Sequence, residues 1–207
     1  MMRTRLLVVL GILVAGLIAA ATPAQAIVFE LTSDHCTGGC GTPPFGTVTV
    51  TQNGANVDIT VHLLNGNQFV KTGSADFQAF KFNAVGVVLG DITIDAHVPA
   101  LAAATGAFNG DGTGNFAFGI NCPSCANGGA GAFSTDISFH VANASIADLT
   151  AANNLGNIFV VDMLSSNGNT GPVDATFPVL EPSTLLLLGG SLVGLGFARR
   201  LAARRRP

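Results

Sequence analysis

Three short stretches of the sequence share side chains that could do chemistry: a carboxylate, a hydroxyl and an imidazole at alternate positions. The groups are Asp58, Thr60 and His62; Thr93, Asp95 and His97; and Asp136, Ser138 and His140. Alternate residues of a β-strand point to the same face, so each group would share one strand face. Histidine and carboxylate groups bind zinc or copper, and His–Asp pairs support acid–base chemistry.

Whether these groups form one site depends on strand order, which the sequence does not reveal. If the three strands are neighbours, the ionisable side chains are weak candidates for a metal site: Asp58, His62, Asp95, His97, Asp136 and His140. We favour the alternative, a solvated sheet face, because antiparallel sheets commonly expose one polar face to water. We therefore predict no firm metal ligand and no cofactor.

The four cysteines form two closely spaced pairs in Gly-rich segments, Cys36 with Cys40 and Cys122 with Cys125. An even cysteine count in an exported chain favours disulfides. Three connectivities are possible, and only the two local bridges require no assumption about the fold. The alternatives are a zinc site with four thiolate ligands and a redox pair at Cys122 and Cys125, which has no βαβ context around it.

Enzyme signatures are missing from the body of the chain, residues 27–178. It has no G-x-S-x-G, H-E-x-x-H, P-loop or dinucleotide-binding motif. Residues 109–115 have the composition of a calcium-loop fragment, but they lack the closing Glu and the carboxylate count of an EF-hand, so we interpret them as a Gly-rich turn. We predict a protein that is not an enzyme, with no catalytic residue; the enzymatic alternative is a hydrolase with a dispersed site.

The segments that would position these groups have the period of β-strands. Apolar and polar residues alternate over 47–51, 57–63, 92–97 and 137–141. Further candidate strands are 27–31, 77–85, 115–120, 157–164 and 173–177. Frequent Asn-Gly and Asp-Gly turns separate them, the best hairpin being at 52–56. Only 144–153 is expected to contain a short helix.

This pattern predicts a mainly β protein with an antiparallel β-sandwich or jelly-roll-like ectodomain over residues 27–164. Residues 165–179 are expected to form the last strand and a stalk. Thirteen of the 14 phenylalanines lie in the body and are the obvious core residues. With no Trp and no Tyr, a sugar-stacking surface would have to use Phe alone.

Charge is strongly segregated along the chain. All seven arginines lie at the two ends, whereas residues 27–178 carry two lysines and eleven acidic residues, a net charge of 2 − 11 = −9. Nucleic-acid affinity comes mainly from Lys and Arg that neutralise phosphates, so we predict no nucleic-acid partner.

Residues 1–26 are typical of a secretory signal peptide. Arg3 and Arg5 precede an uncharged apolar run over 6–21. Ala24 and Ala26 form a small-residue cleavage site for signal peptidase, which would leave residue 27 as the new N-terminus. The alternative is a retained membrane anchor.

A second apolar run near the C-terminus predicts a single transmembrane helix, long enough to span a thinned bilayer. Its residues are Leu185, Leu186, Leu187, Leu188, Gly189, Gly190, Ser191, Leu192, Val193, Gly194, Leu195, Gly196, Phe197 and Ala198. A basic tail follows, made of Arg199, Arg200, Arg204, Arg205 and Arg206. Positive residues favour the cytoplasmic side, so the body is expected outside.

Residues 180–207 resemble the C-terminal sorting signal of the PEP-CTERM proteins, the exported substrates of exosortases in Gram-negative bacteria. The resemblance lies in the apolar helix, the basic tail and a short motif in front of them: Leu180, Glu181, Pro182, Ser183 and Thr184. It implies transient insertion in the inner membrane, recognition of the motif near Glu181 and Pro182 by an exosortase, and removal of the tail.

The function expected from these features is that of an exported, non-enzymatic protein of the cell surface or extracellular matrix. The resemblance further implies an association with exopolysaccharide and biofilm. The alternative is a secreted module that binds carbohydrate or metal through the Asp/His face or the Gly-rich loops.

Overall fold

The structure, a computed structural model, describes residues 25–72, 76–176 and 178–179 of the 207-residue chain. The signal peptide up to Ala24, the sorting motif, the transmembrane segment and the basic tail fall outside these ranges. Among the residues described, no helix has the length and apolar character needed to cross a membrane.

The described chain forms two antiparallel sheets, which confirms the predicted mainly β, antiparallel class. Sheet one has the strand order β13-β1-β3-β4-β10-β7. Its strands are β1 (Ala26–Leu31), β3 (Gly46–Asn53), β4 (Asn56–Leu63), β7 (Ile92–Ile94), β10 (Ile137–Val141) and β13 (Pro178–Val179).

Sheet two has the order β2-β12-β11-β6-β9-β8, with β5 also paired to β11. Its strands are β2 (Ser33–Asp34), β5 (Gln68–Phe69), β6 (Phe80–Phe82), β8 (Ala102–Asn109), β9 (Asn115–Asn121), β11 (Phe159–Leu164) and β12 (Thr170–Ala175). The interval 165–179, expected to form the last strand and a stalk, contributes β12 to sheet two and β13 to sheet one.

Local sequence explains several of these elements. The predicted hairpin at 52–56 joins β3 to β4, with Asn53 opposite Asn56 and Gly54 at a φ of 61°, a conformation that glycine adopts at little cost. The predicted helical segment contains one short helix, α1 (Ile146–Leu149), capped by the side chain of Ser145. The expected strands 77–85 and 92–97 are shorter in the structure, where β6 and β7 have three residues each.

Phenylalanines from both sheets meet in one core. The Phe29 ring of sheet one lies 5.0 Å from the Phe159 ring of sheet two, at an interplanar angle of 82°. Phe139 of sheet one similarly contacts Phe80 and Phe82 of sheet two, at centroid distances of 6.0 and 5.4 Å. Edge-to-face and tilted aromatic pairs add to the free energy gained from burial alone.

The opposite face of sheet two is also covered. Since Phe80 and Phe82 point into the core, the intervening Lys81 points away from it, and yet it is fully buried. Val70 and Ala79 both bond through their backbones to Asp162, at 3.1 and 3.0 Å. We call the described residues between them, 71–72 and 76–78, the covering segment.

Candidate functional site

Strand order brings the three acid–hydroxyl–histidine groups onto neighbouring strands. Strand β10 lies between β4 and β7. In the register, His140 is opposite both Asp58 of β4 and Thr93 of β7. The condition that the sequence left open, that these strands be neighbours, is therefore met.

The histidines on this face form separate pairs. His62 Nδ1 lies 2.7 Å from Asp136 Oδ1, and His140 Nδ1 lies 3.4 Å from Asp95 Oδ1. Asp58 instead accepts a hydrogen bond from the Asn53 amide at 2.9 Å. Both His–Asp pairs are open to solvent, since every side chain in them is more than a third exposed. Each imidazole thus meets one carboxylate rather than a set of converging ligands.

His97 is held differently. Strand β7 ends at Ile94, so His97 lies beyond it. Its ring nitrogens contact the backbone oxygens of Pro99 and Thr135 at 2.5 and 3.2 Å, and its ring packs edge-on against Phe133. The metal site suggested for these residues stays a prediction.

Within the described ranges, the one cluster of three metal-binding residue types is Asp34, Cys36 and Cys40. Both cysteines are already bonded to each other. The Asp34 carboxylate accepts the backbone N–H groups of Cys36 and Cys40 at 2.9 and 2.7 Å. Asp34 therefore holds the disulfide loop in place, and the cluster presents no free thiolate to a metal.

The cysteines form the two local disulfides, Cys36–Cys40 and Cys122–Cys125. Their Cα–Cα distances of 5.2 and 5.3 Å lie within the usual range for such bonds. Of the three connectivities compatible with the sequence, this is the one that links nearest neighbours. A disulfide sulfur is not a zinc-binding thiolate, so the zinc alternative does not apply to this oxidised state. A redox pair also has a disulfide form, so that alternative at Cys122 and Cys125 stays a prediction.

A polar cleft of about 430 Å³ lies beside the first disulfide. Its walls include Thr42, Asn65, Asn67, Ser166 and Asn167, with Phe45 as the aromatic member. Asn67 joins the walls, because its amide donates to the Phe45 backbone oxygen and its Oδ1 accepts from the Ser166 N–H. The sequence showed the Asn-Gly turns at 65–66 and 167–168 but not that they meet at one cleft.

A buried charged centre lies on the covered face of sheet two. The Lys81 side chain is 0% exposed, and Nζ lies 3.0 Å from Asp162 Oδ1 and 3.4 Å from Asp76 Oδ2. Asp162 is on β11, next to β6, and Asp76 is in the covering segment. The centre therefore joins two strands and the segment above them.

Burial dominates the electrostatics of this centre. It raises the pKa of Asp162 to about 6, although the charge of Lys81 acts in the opposite direction. The pKa of Asp76 is raised for the same reason, again against the attraction of Lys81. On the same sheet face, burial raises the pKa of Asp174, which His35 Nε2 contacts at 2.8 Å.

Sequence reasoning did not identify this centre, although a signal for it was present. Lys81 is one of only two lysines in the body and lies between two phenylalanines. Asp162 interrupts an apolar run of the same kind, Val160-Val161-Asp162-Met163-Leu164. A lone charge in the middle of an apolar strand predicts a buried charge that needs a partner. The partner itself depends on strand order.

Comparison of the chain with protein-family models, with curated proteins and with solved structures gave no match.

Proposed function

We propose that this protein is an exported, non-enzymatic component of the Gram-negative cell envelope, sorted through a C-terminal PEP-CTERM signal. It passes through the inner membrane and is then displayed at the cell surface or released into an exopolysaccharide matrix. The observation that carries the proposal is the pair of closed disulfides. Such bonds form and persist in oxidising compartments and are rare in the cytosol.

We also propose that the two sheets form an antiparallel sandwich. The Phe29–Phe159 and Phe80–Phe139 contacts between the sheets support this architecture. Side chains that interdigitate between two inner faces are the defining feature of sheet-on-sheet packing.

The ends of the body suit processing at both termini. Strand β1 begins at Ala26 and pairs with β3 through Leu31, so cleavage after Ala26 leaves the rest of the strand in its sheet. Strand β13 ends at Val179 and pairs with β1. The proposed exosortase motif starts at the next residue, where its removal would spare the last sheet strand.

The test is the intact mass of the protein recovered from the membrane fraction and the growth medium. We expect a chain that begins at residue 27, ends near the motif and contains both disulfides. Glu181→Ala should keep the tail on the protein and hold it in the membrane fraction. Glu30→Ala is the matched control, because Glu30 is the only other glutamate and lies in β1; its processing should be unchanged.

A cytosolic chain with residues 1–26 still attached and four free thiols would contradict the proposal.

The polar cleft favours a second function, carbohydrate binding at the surface. Amide and hydroxyl groups converge there, and specific small-molecule sites place a few polar groups in this way. The two His–Asp pairs of sheet one support metal binding less strongly, because each pair supplies only one imidazole and one carboxylate as ligands.

Binding to an array of bacterial exopolysaccharides tests this second function. Asn167→Ala removes an exposed amide from the cleft and should reduce retention. Asn127→Ala is the matched control, since Asn127 is also an exposed Asn-Gly asparagine and is not among the residues that line the cleft. Equal binding by the two variants, or no binding by the wild type, would exclude the cleft as the sugar site.

A further inference from the structure

The buried centre on sheet two holds an amine and a carboxyl group away from water, with a second carboxyl group close beside them. Lys81 and Asp162 are both 0% exposed, and the Asp76 side chain is 6% exposed. An ion pair in such a place contributes little net stability, because the cost of removing two charges from water offsets their attraction. Hydrophobic residues of similar size would serve the fold as well, so the arrangement calls for a chemical explanation.

The polar atoms of this centre also lack ordinary hydrogen bonds. Among the described residues, Lys81 Nζ and both carboxylate oxygens of Asp76 and Asp162 have no hydrogen-bond partner of acceptable geometry. Nζ nevertheless lies 3.0 Å from Asp162 Oδ1 and 3.4 Å from Asp76 Oδ2. Oδ1 is one bond from the carboxyl carbon Cγ, so the ion pair holds the amine next to the atom that it would attack, with a second carboxylate beside it.

We propose that Lys81 Nζ and Asp162 Cγ become joined by an intramolecular isopeptide bond, with Asp76 as the proton carrier.

The reaction is a condensation in which all atoms balance. A proton first passes from the Lys81 ammonium to the Asp162 carboxylate, which leaves a neutral amine and a neutral carboxylic acid. The amine nitrogen attacks Cγ, and the Asp76 carboxylate takes the proton that the nitrogen loses. Asp76 returns that proton to the departing hydroxyl. One amide bond forms, one C–O bond breaks and one water molecule leaves, with no oxidant, reductant or further reactant.

The environment favours each of these steps. A medium of low dielectric constant disfavours the charged carboxylate, so it favours the acid form of Asp162. Burial acts in this way on Asp162, whose pKa it raises to about 6. The raised pKa of Asp76 makes that carboxylate a better proton acceptor. Exclusion of bulk water disfavours the reverse reaction, hydrolysis of the amide.

The position of the bond suits a protein exposed outside the cell. Lys81 is opposite Val160 in the register of β6 and β11, and Asp162 lies two residues further along β11 on the same face. The bond would join the two central strands of sheet two covalently. The bond would keep these two strands together against proteolysis and thermal unfolding.

The test begins with the mass of the mature wild-type protein isolated from its host. We expect it to be lower than the mass of the processed, disulfide-bonded sequence by one water molecule. A second readout is trypsin digestion after reduction and unfolding. Lys71 and Lys81 are the only tryptic sites between residues 27 and 178; cleavage should occur after Lys71 and fail after Lys81, because an acylated lysine is not a substrate.

Trypsin then leaves Lys81 and Asp162 in one peptide, so a second protease that cleaves between them, such as chymotrypsin, is added. Tandem mass spectrometry must then place the lost water in a linked pair of peptides that carry Lys81 and Asp162. An Asp-Gly sequence such as Asp111-Gly112 can also lose water by cyclising, with the same change in mass. A full, undehydrated mass, complete cleavage after Lys81, or a loss confined to Asp111 would each overturn the proposal.

Two variants separate the chemistry from the fold. Asp76→Asn keeps the Lys81–Asp162 pair but removes the proton carrier, so we expect a folded protein with the full mass. Asp111→Asn is the matched control: Asp111 acts on the pKa of Asp76 and Asp162 only through its charge, and the cross-link should persist. If Asp76→Asn fails to fold, the wild-type mass and digestion still decide the question. A folded Asp76→Asn protein that retains the cross-link would exclude Asp76 as the carrier.

Discussion

The outer faces of the two sheets carry similar polar residues in very different surroundings. On sheet one, His62 and Asp136 form a pair whose side chains are 50% and 42% exposed. On sheet two, Lys81 and Asp162 form a pair in which both are 0% exposed. Water screens the first pair, whereas the second relies on its own geometry to offset the loss of hydration.

The difference shows which face of a β protein can hold charged groups away from water. An exposed His–Asp pair exchanges its partners with water at little cost and constrains the fold weakly. A covered pair must remain matched, so the covering segment and strands β6 and β11 depend on one another. Exposure, rather than residue type, therefore decides which of the two pairs must stay matched for the fold to be stable.

The largest expected effect comes from breaking the covered pair. Asp162→Ala leaves the Lys81 ammonium buried beside Asp76 alone and also prevents the proposed cross-link. Removal of one partner of a buried pair by itself costs about 3–5 kcal/mol, so the loss relative to the cross-linked wild type should be at least that large. Urea unfolding of the mature protein, followed by circular dichroism, measures the loss. The comparison between the faces fails if Asp162→Ala and Asp136→Ala destabilise the protein equally.

Sheet one was the more predictable half, for a physical reason. Its strands β3, β4 and β10 have one face in the core and one in water, so polarity alternates along the sequence. Sheet two is covered on both faces around β11, where Val160 and Val161 are both buried, and alternation disappears. Strand β8 was missed because its alanines, Thr105 and Gly106 give little periodic contrast.

The candidate sites were predictable only as far as local sequence determines them. The spacing of the cysteines made local disulfides possible but did not select them. The neighbouring positions of β4, β10 and β7, the meeting of two Asn-Gly turns at the cleft and the Lys81–Asp162 pair all depend on strand order. Strand order follows from contacts far apart in the chain, for which one sequence has no local signal.

The disulfides provide the next largest effect. In the chain-entropy model, closing a loop this short stabilises the folded state by about 2 kcal/mol. The double variant Cys122→Ala and Cys125→Ala should lose that amount, since it removes the bond without leaving a thiol. Cys36→Ala with Cys40→Ala is its counterpart next to the cleft. Thermal unfolding with and without reductant measures both losses. Reductant should lower the unfolding temperature of each variant only through the one disulfide that the variant retains.

The covered face should also give the protein a pH dependence through Asp174. Burial raises its pKa above 3.8, so the folded protein binds this proton more tightly than the unfolded chain does. The contribution of Asp174 to stability therefore falls as pH rises from about 3.8 through the raised pKa, and is constant above it.

Asp174→Asn removes this titration. The free energy of unfolding of the wild type, relative to that of the variant, should decrease with rising pH over that range. His35 lowers the pKa of Asp174, so the same comparison in a His35→Gln background should keep its sign. An increase with pH would show that the carboxyl group is not held in its protonated form.

The smallest expected effect lies on the exposed face of sheet one. Removal of the His62 imidazole by His62→Ala breaks a contact of 2.7 Å to Asp136, but water replaces the imidazole as the partner of the Asp136 carboxylate. Exposed ion pairs contribute about 0–1 kcal/mol, and salt screens what they contribute. Urea unfolding is compared at low and high salt at pH 5, below the ordinary histidine pKa of about 6.5, so that the imidazole is charged. It should give a small difference between wild type and variant that shrinks as salt is added. A loss as large as that of Asp162→Ala, or one that salt does not change, would mean that the His62–Asp136 pair is shielded from water by a contact of its own, and the contrast between the two faces would disappear.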